Sequence, residues 1–350
     1  MLPMKTTKSE TTSRIAKSLR VTALIGVILI ALVTILGKGG GDGAPAGGGG
    51  GSSVGPTAEI NSATAPDISG ATVESVILAS TAVVDAPVGG LGGSGISPSS
   101  LGASKNGGSS LMEEIPATTE PCPSGGSITI SGNIADPDLL VFQGVLLPGD
   151  NFNSDFNACD IGFGLITNGG FDFTVNSFSG VIFDLFDIDL DGNFRNFSLS
   201  SDGSTFQING QFDASIVSTT FPISTVIASS PQLDISINPE GFAATLFDYS
   251  ETSTTDFSGF PEICTTDASG SLQSSEFSGE VEFVTTEDFS GDCFDNPSSG
   301  SALITGADGA TINLIVIDSN NVELHIDLDA DGIVDEVQAR TWDELLPLAL

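Results

Sequence analysis

Positive charge is scarce in this chain. Of its 350 residues only nine are Lys or Arg, against 45 Asp or Glu. Six of the nine, Lys5, Lys8, Arg14, Lys17, Arg20 and Lys38, fall in the first 38 residues beside one acid, Glu10. That end carries +5, so a chain of net charge −36 leaves −41 for the remainder, whose only cations are Lys105, Arg195 and Arg340. A surface this acidic repels phosphate backbones and anionic lipid, which excludes nucleic acid as a partner, and it suits cation binding. Amphipathic aromatics are also scarce: Tyr249 and Trp342 stand alone beside 22 Phe. Phe fills cores, whereas Tyr and Trp serve wet surfaces, so sugar-stacking platforms are not expected. His325 is the single histidine. No nucleophile motif surrounds it, which removes triad chemistry and leaves carboxylate pairs as the remaining enzymatic option. On a strand, a lone histidine reads as a residue of the polar face.

What is present begins with Val21–Leu36, an apolar run of sixteen residues without a charge, behind a basic stub. This is the layout of an export signal or signal-anchor helix. At about 1.5 Å per residue the run spans roughly 24 Å, short of the ~30 Å of a bilayer core. Both readings place the stub in the cytoplasm and everything after Lys38 outside. If uncleaved, the helix anchors the chain in the inner membrane, facing the periplasm; if cleaved, the product is periplasmic or extracellular. Ala44-Pro-Ala46 has the small-x-small form of a cleavage site but lies far from the apolar run. Ile35-Leu-Gly-Lys38 resembles a lipobox with Lys in place of the lipid-bearing Cys, and no cysteine precedes Cys122.

Residues 39–121 are rich in Gly, Ser, Ala, Thr and Pro and read as a disordered, flexible stalk. The run Gly47–Gly51 has no Lys-Ser/Thr after it, so it is not a phosphate loop. One island, Ala71–Val84, has the composition of a docking strand or a short helix, and its pattern does not separate the two.

From Cys122 onward, short apolar/polar alternations recur between Gly, Asn, Asp and Ser clusters. Ser127-Ile-Thr-Ile-Ser131, Phe171-Asp-Phe-Thr-Val175 and Leu233-Asp-Ile-Ser-Ile237 are examples. The expected class is all-β: an antiparallel sandwich, barrel or extended meander over 122–350. Only Trp342–Leu350 hints at helix. Cys122, Cys159, Cys264 and Cys293 are even in number and lie in an exported body, which implies two disulfides. Three pairings are open, with sequence neighbours the simplest. Zinc ligation lacks any C-x-x-C pair. Each neighbour pair would open one half of the body, near 122–260 and 261–350.

Two D-x-D-x-D-G stretches invite a metal. In the second, Asp327, Asp329 and Asp331 precede Gly332, with Asp335 three residues on; in the first, Asp187, Asp189 and Asp191 precede Gly192. Calcium takes six to eight hard oxygens, and closely spaced carboxylates on a tight turn supply them. The second stretch matches positions 1, 3, 5, 6, 8 and 9 of an EF-hand loop. It has Gln338 where the bidentate Glu belongs, and strand-like flanks, so the expectation is a calcium-stabilised β-turn. In the first, Arg195 stands at position 9 and opposes a cation. Either run could equally be a solvated acidic turn.

The ending Asp327-x-Asp-x-Asp-Gly-x-x-Asp335 with Thr341-Trp-Asp-Glu-Leu345 resembles that of a group of bacterial secreted proteins and lipoproteins. Asn296-Pro-Ser-Ser-Gly-Ser-Ala-Leu-Ile-Thr-Gly306, Gly125-Gly-Ser-Ile-Thr-Ile130, Gly149-Asp150 and Asn157-Ala-Cys-Asp160 extend the likeness over roughly 122–350. The resemblance implies an exported, disulfide-bonded β protein and no activity. Lys38 departs from the lipobox cysteine of many such proteins. The function expected is a non-catalytic exported or surface-displayed β module, calcium-stabilised, with self-association or a cell-surface ligand as its partner. The alternatives are a carboxylate-dependent, glycosidase-like hydrolase and an adhesin or matrix subunit.

Overall fold

In the computed structural model, residues 55–92, 113–136, 139, 145–160, 164–181, 185–201, 203–220, 223–239, 241–293 and 295–346 are described. The apolar run Val21–Leu36 and its basic stub lie outside them, and no described helix is long and apolar enough to cross a membrane.

Alternation sets the architecture. In Gly125–Ile134, Ile128, Ile130 and Ile134 are buried, while Ser127, Thr129 and Ser131 between them stay half-exposed. The same period of two builds fourteen strands. They are β1 (Glu113–Pro121), β2 (Gly125–Ile134), β3 (Asn151–Asp160), β4 (Ile166–Gly180), β5 (Phe186–Ser201), β6 (Ser204–Thr220) and β7 (Ile223–Asn238). They continue as β8 (Phe242–Asp256), β9 (Ile263–Ser274), β10 (Glu280–Asp292), β11 (Ser299–Thr305), β12 (Thr311–Val316), β13 (Asn321–Asp327) and β14 (Glu336–Thr341). All lie in one open sheet in sequence order, and every neighbouring pair is antiparallel. Of the expected architectures, the meander is the one formed. It runs through residue 260 without a break, since Asp256 on β8 pairs with Ile263 on β9.

The helix α1 (Ala65–Gly92) revises the expected stalk. The island left open between strand and helix is helical, and all eight residues from Ile68 to Ser75 are buried. Eight consecutive helical residues cover every azimuth, so this stretch of α1 is enclosed on all sides, while Asp67 and Ile77 beside it are exposed. It touches β6–β9, β12 and β13, and we conclude that the sheet curls around it. Ser69, Gly70, Ala71, Thr72 and Ser75 make this segment look like linker. Their small volume is also what lets a helix sit inside a curled sheet. The β body likewise starts before Cys122, because Glu113–Pro121 is strand β1.

At the other end of the meander, phenylalanines fill the concave face. Phe171 (β4), Phe194 (β5) and Phe212 (β6) form a ladder with ring centroids 5.2 Å and 5.1 Å apart, and Phe152 stacks on Phe173 at 5.0 Å. Outward positions of β5 are Asp187, Asp189, Asp191, Asn193 and Arg195, a polarity opposite to that of a barrel facing lipid.

Both disulfides form between sequence neighbours. Cys122–Cys159 ties the β1–β2 turn to β3, and Cys264–Cys293 ties β9 to the residue following β10. Sequence separations of 37 and 29 correspond to about 4 kcal/mol each on the chain-entropy account. Two such bonds fit an oxidising compartment.

The edges are protected as well. β1 contains Pro116 and a register shift between Ile115 and Thr118. β14 runs into the short helix α2 (Trp342–Leu345), closed by a capping box: Thr341 accepts from the Glu344 amide, and Glu344 accepts from the Thr341 amide. The Thr341-Trp-Asp-Glu-Leu345 ending is thus a helix cap with a buried Trp342 behind it.

Where α1 meets β8, the only tyrosine and a buried acid form a polar pin. The Tyr249 hydroxyl donates to Glu251 Oε2 at 2.6 Å, and the Ser80 hydroxyl of α1 donates to Glu251 Oε1 at 2.5 Å. Burial, then the adjacent Glu251, push the Tyr249 phenol well above its ordinary range. A raised folded-state pKa contributes stability below the unfolded value of about 10 that is lost as pH rises through the folded one. Tyrosinate absorbance at 295 nm should therefore appear only together with unfolding. A titration near pH 10 with the sheet intact would disprove the burial.

Gly70 offers a second check. A Cβ there would overlap the backbone carbonyl of Leu345. Helix propensity alone makes Gly70→Ala stabilising by about 1 kcal/mol, whereas overpacking costs about 1–3 kcal/mol. We expect a lower thermal midpoint for Gly70→Ala. An unchanged or higher one would mean α1 is not enclosed.

Candidate metal centre

The two acidic motifs share a hexapeptide pattern but not a conformation. Along β13, Val322, Leu324 and Ile326 face the core in strict alternation, and the strand ends at Asp327. The chain then loops through residues 328–335, with Ala330 (φ 60°) and Gly332 (φ 81°) in the left-handed region, before β14 begins. The loop's carboxylates hold its own amides, the Asx-turn behaviour of short acidic side chains. Asp327 Oδ2 accepts from the Gly332 amide at 2.8 Å and Asp335 Oδ2 from the Leu328 amide at 2.8 Å. Asp329 Oδ1 accepts from Asp331, and Asp331 Oδ1 from Ile333.

These turns bring Asp327, Asp329 and Asp335 together, with an oxygen of each within 4.8 Å of the others. Asp331 stands outside that group. Oxygens at such separations can share one ion at 2.3–2.6 Å. An all-carboxylate donor set selects a hard cation over a thiophilic or imidazole-seeking one. Asp327 supplies the strongest sign. It is only 7% exposed, and its Oδ1 is buried without a hydrogen-bond partner. A buried carboxylate oxygen lacking a donor is costly. Two further carboxylates nearby add roughly 1 kcal/mol of repulsion per pair even at the dielectric of water. A cation reverses both penalties.

Asp187, Asp189 and Asp191 do not converge. They lie within β5, which continues through Gly192 to Ser201, so alternate carboxylates are about 7 Å apart on one face. Gly192 is no turn residue: it is buried, and a Cβ there would overlap the Phe212 ring. The reason lies downstream, where Phe194 and Phe197 continue the buried row and keep the chain extended. Each carboxylate has structural partners instead. Asp189 accepts from Ser177 Oγ at 2.5 Å, and the hydroxyls of Ser177 and Ser215 hold its pKa below the usual range. Asp191 accepts from Asn176 Nδ2 at 2.5 Å and lies opposite Asp213 on β6. Desolvation, then the hydrogen bond and charge of Asp191, raise the Asp213 carboxyl.

Arg195, which the spacing set against a metal, neutralises other acids. Its Nε and Nη2 grip Asp172 at 2.6 and 2.7 Å, and Nη1 reaches Asp155 at 2.7 Å. Hydrogen bonding to Asp172 is the main reason its pKa is raised. His325 Nε2 sits 3.1 Å from Glu323 on the outer face of β13. Sequence reasoning missed the buried Glu251, whose partner Ser80 lies 171 residues away. The only local signal was an acid at a position where the alternation of β8 demands an apolar side chain.

The Asp191–Asp213 pair yields a pH prediction. A carboxyl raised in the folded state favours folding at low pH, and that contribution is lost as pH rises through its folded pKa. Asp213→Asn should stabilise at pH 7 by about 0.5 kcal/mol, small because the pair is exposed. The gain should shrink as pH falls into the carboxylate range. Thermal midpoints of both proteins across that range check it, and a pH-independent difference would refute it. No protein-family model matches the chain and neither does any curated protein.

Proposed function

We propose that this chain is a non-catalytic, exported β module whose β13–β14 loop binds calcium. The observation that carries the reading is Asp327 Oδ1, buried and unpartnered in a group of three carboxylates. Two disulfides support an oxidising destination, and the acidic outer face supports solubility and cation attraction. The Asp191–Asp213 pair, the best local candidate for carboxylate catalysis, lies on the outer face with Asn176 bound to it. It therefore does not favour the hydrolase alternative. Within this proposal Val21–Leu36 anchors or exports the module, which presents its outer face to a cell-surface ligand or to further copies of itself.

Thermal unfolding of the full-length, non-reduced protein tests the metal. Extracellular calcium modules bind at about 10⁻⁴–10⁻³ M, so about 10 mM calcium approaches 100 times a tight Kd and adds about 2.7 kcal/mol. For a body of this size that is a midpoint rise on the order of 5–10 °C over chelator. Asp327→Asn and Asp329→Ala should each abolish the rise. A midpoint indifferent to calcium would reduce the loop to a solvated acidic turn and remove calcium from the function.

A further inference from the structure

We propose that the metal loop acts as a latch for the N-terminal segment Thr57–Ser62, so that calcium binding and the seating of α1 are energetically coupled. This rests on the calcium reading of Asp327, Asp329 and Asp335. The segment leads from the first 54 residues into α1, and the ends of three hairpins hold it. One hold is remote from the loop: the Thr57 and Ala58 amides donate to the Glu280 carbonyl at 2.8 and 2.9 Å, and the Glu280 amide donates to Thr57 Oγ1 at 3.0 Å.

The other two holds adjoin the metal loop. The turn Ala307–Gly309 between β11 and β12 grips Ala58, whose carbonyl accepts from the Ala307 amide at 2.7 Å. On its far side this turn abuts the loop, since a Cβ at Gly309 would stand 3.2 Å from Ala330 Cβ. The third hold is β14. Gln338 Nε2 donates to the Ser62 carbonyl at 2.8 Å and to Glu336 Oε1 at 2.9 Å, while the Ser62 hydroxyl donates to Glu336 Oε2. Glu336 directly follows Asp335 and pairs across the sheet with Ile326, the neighbour of Asp327. The carboxylates that would hold the ion thus flank the rung that places Glu336, two residues before Gln338 on the same strand.

Charge supplies the coupling. Without a cation, Asp327, Asp329, Asp331 and Asp335 repel one another and their neighbours Glu336 and Asp308, and the hairpin end that must keep Glu336 on Ser62 is strained apart. A bound ion draws Asp327 and Asp335 together, which fixes the first rung of β14 and with it both contacts to Ser62. Seating the segment in turn pre-orders the loop for the ion. Linkage requires the two effects to be equal. The physiological consequence is a body whose enclosed helix is retained where calcium is abundant and loosened at its N-terminal end where it is scarce.

Hydrogen exchange and calcium titration on the full-length protein test the coupling. With about 10 mM calcium in place of chelator, amides in 55–64 should exchange at least fivefold more slowly, the lower end of typical couplings. The slowing should exceed that of β5 amides, which separates latching from global stabilisation. Gln338→Ala, and Ser62→Ala at an exposed position, alter no loop carboxylate yet should weaken calcium binding, by up to the same factor. Calcium binding with unchanged exchange in 55–64, or wild-type affinity in both variants, would overturn the latch and leave the metal site standing. An absence of calcium binding by titration would remove both.

Discussion

The interaction on which the rest of this structure depends is the burial of one continuous concave face. A fourteen-stranded meander presents apolar rows on its inner strands, β2 to β13, and an open sheet has no second sheet to cover them. The chain solves this in two ways along its length. Over β3–β6 the phenylalanines stack side by side along the inner face, as Phe171, Phe194 and Phe212 do on successive strands, and cover it themselves. Over β6–β13 the inward residues are mostly Ile, Leu, Val and Ala, too short to fill the space alone, and α1 occupies it. The lopsided aromatic composition and the small-residue helix are two parts of one packing solution.

That solution explains why polar groups concentrate at particular places. The enclosed stretch of α1 brings serines, a threonine and one glutamate into the interior, where polar groups call for partners. Thr72 finds the Ile68 carbonyl, and the Ser69 and Ser75 hydroxyls find no partner. The pin of Ser80, Glu251 and Tyr249 serves this need and fixes α1 against β8. The same demand makes the orphaned oxygen of Asp327 conspicuous. In a molecule that otherwise binds its acids to hydroxyls, amides and Arg195, a buried carboxylate oxygen without a donor indicates a ligand in a way that an exposed acidic run does not.

The acidic outer face and the sparse cations follow a similar logic. Arg195 is shared by Asp155 and Asp172, and Ser177, Ser215 and Asn176 quiet the acids of β5. With so few cations in the chain, further neutralisation has to come from solution. This is the physical setting in which, on the proposed reading, a hard cation at the β13–β14 loop would act on both the stability of the hairpin and the attachment of Thr57–Ser62.

Local chemistry made much of this legible from sequence alone. Strand identity follows from a period of two that only neighbouring residues need to satisfy, as in Ser127–Ser131. A C-terminal helical turn is hinted at from Trp342 on, and the Thr341–Glu344 capping box that closes it came from the structure. Neighbour pairing of the four cysteines is the shortest closure available. The grouping of Asp327, Asp329 and Asp335 was visible because a turn residue, Gly332, follows at the right offset. What the tertiary structure decided lies beyond such windows. The same D-x-D-x-D-G pattern became a strand at Asp187–Gly192 because Phe194 and Phe197 had core to bury, and burial there belongs to Phe212 and Phe156 on other strands. A segment composed like a linker became the enclosed helix because its contacts, such as Ser80 to Glu251, lie 171 residues away. Alternation, turns and caps are settled within a few residues. Which segment fills the interior is settled by the free energy of the whole sheet, and no short window of sequence contains that.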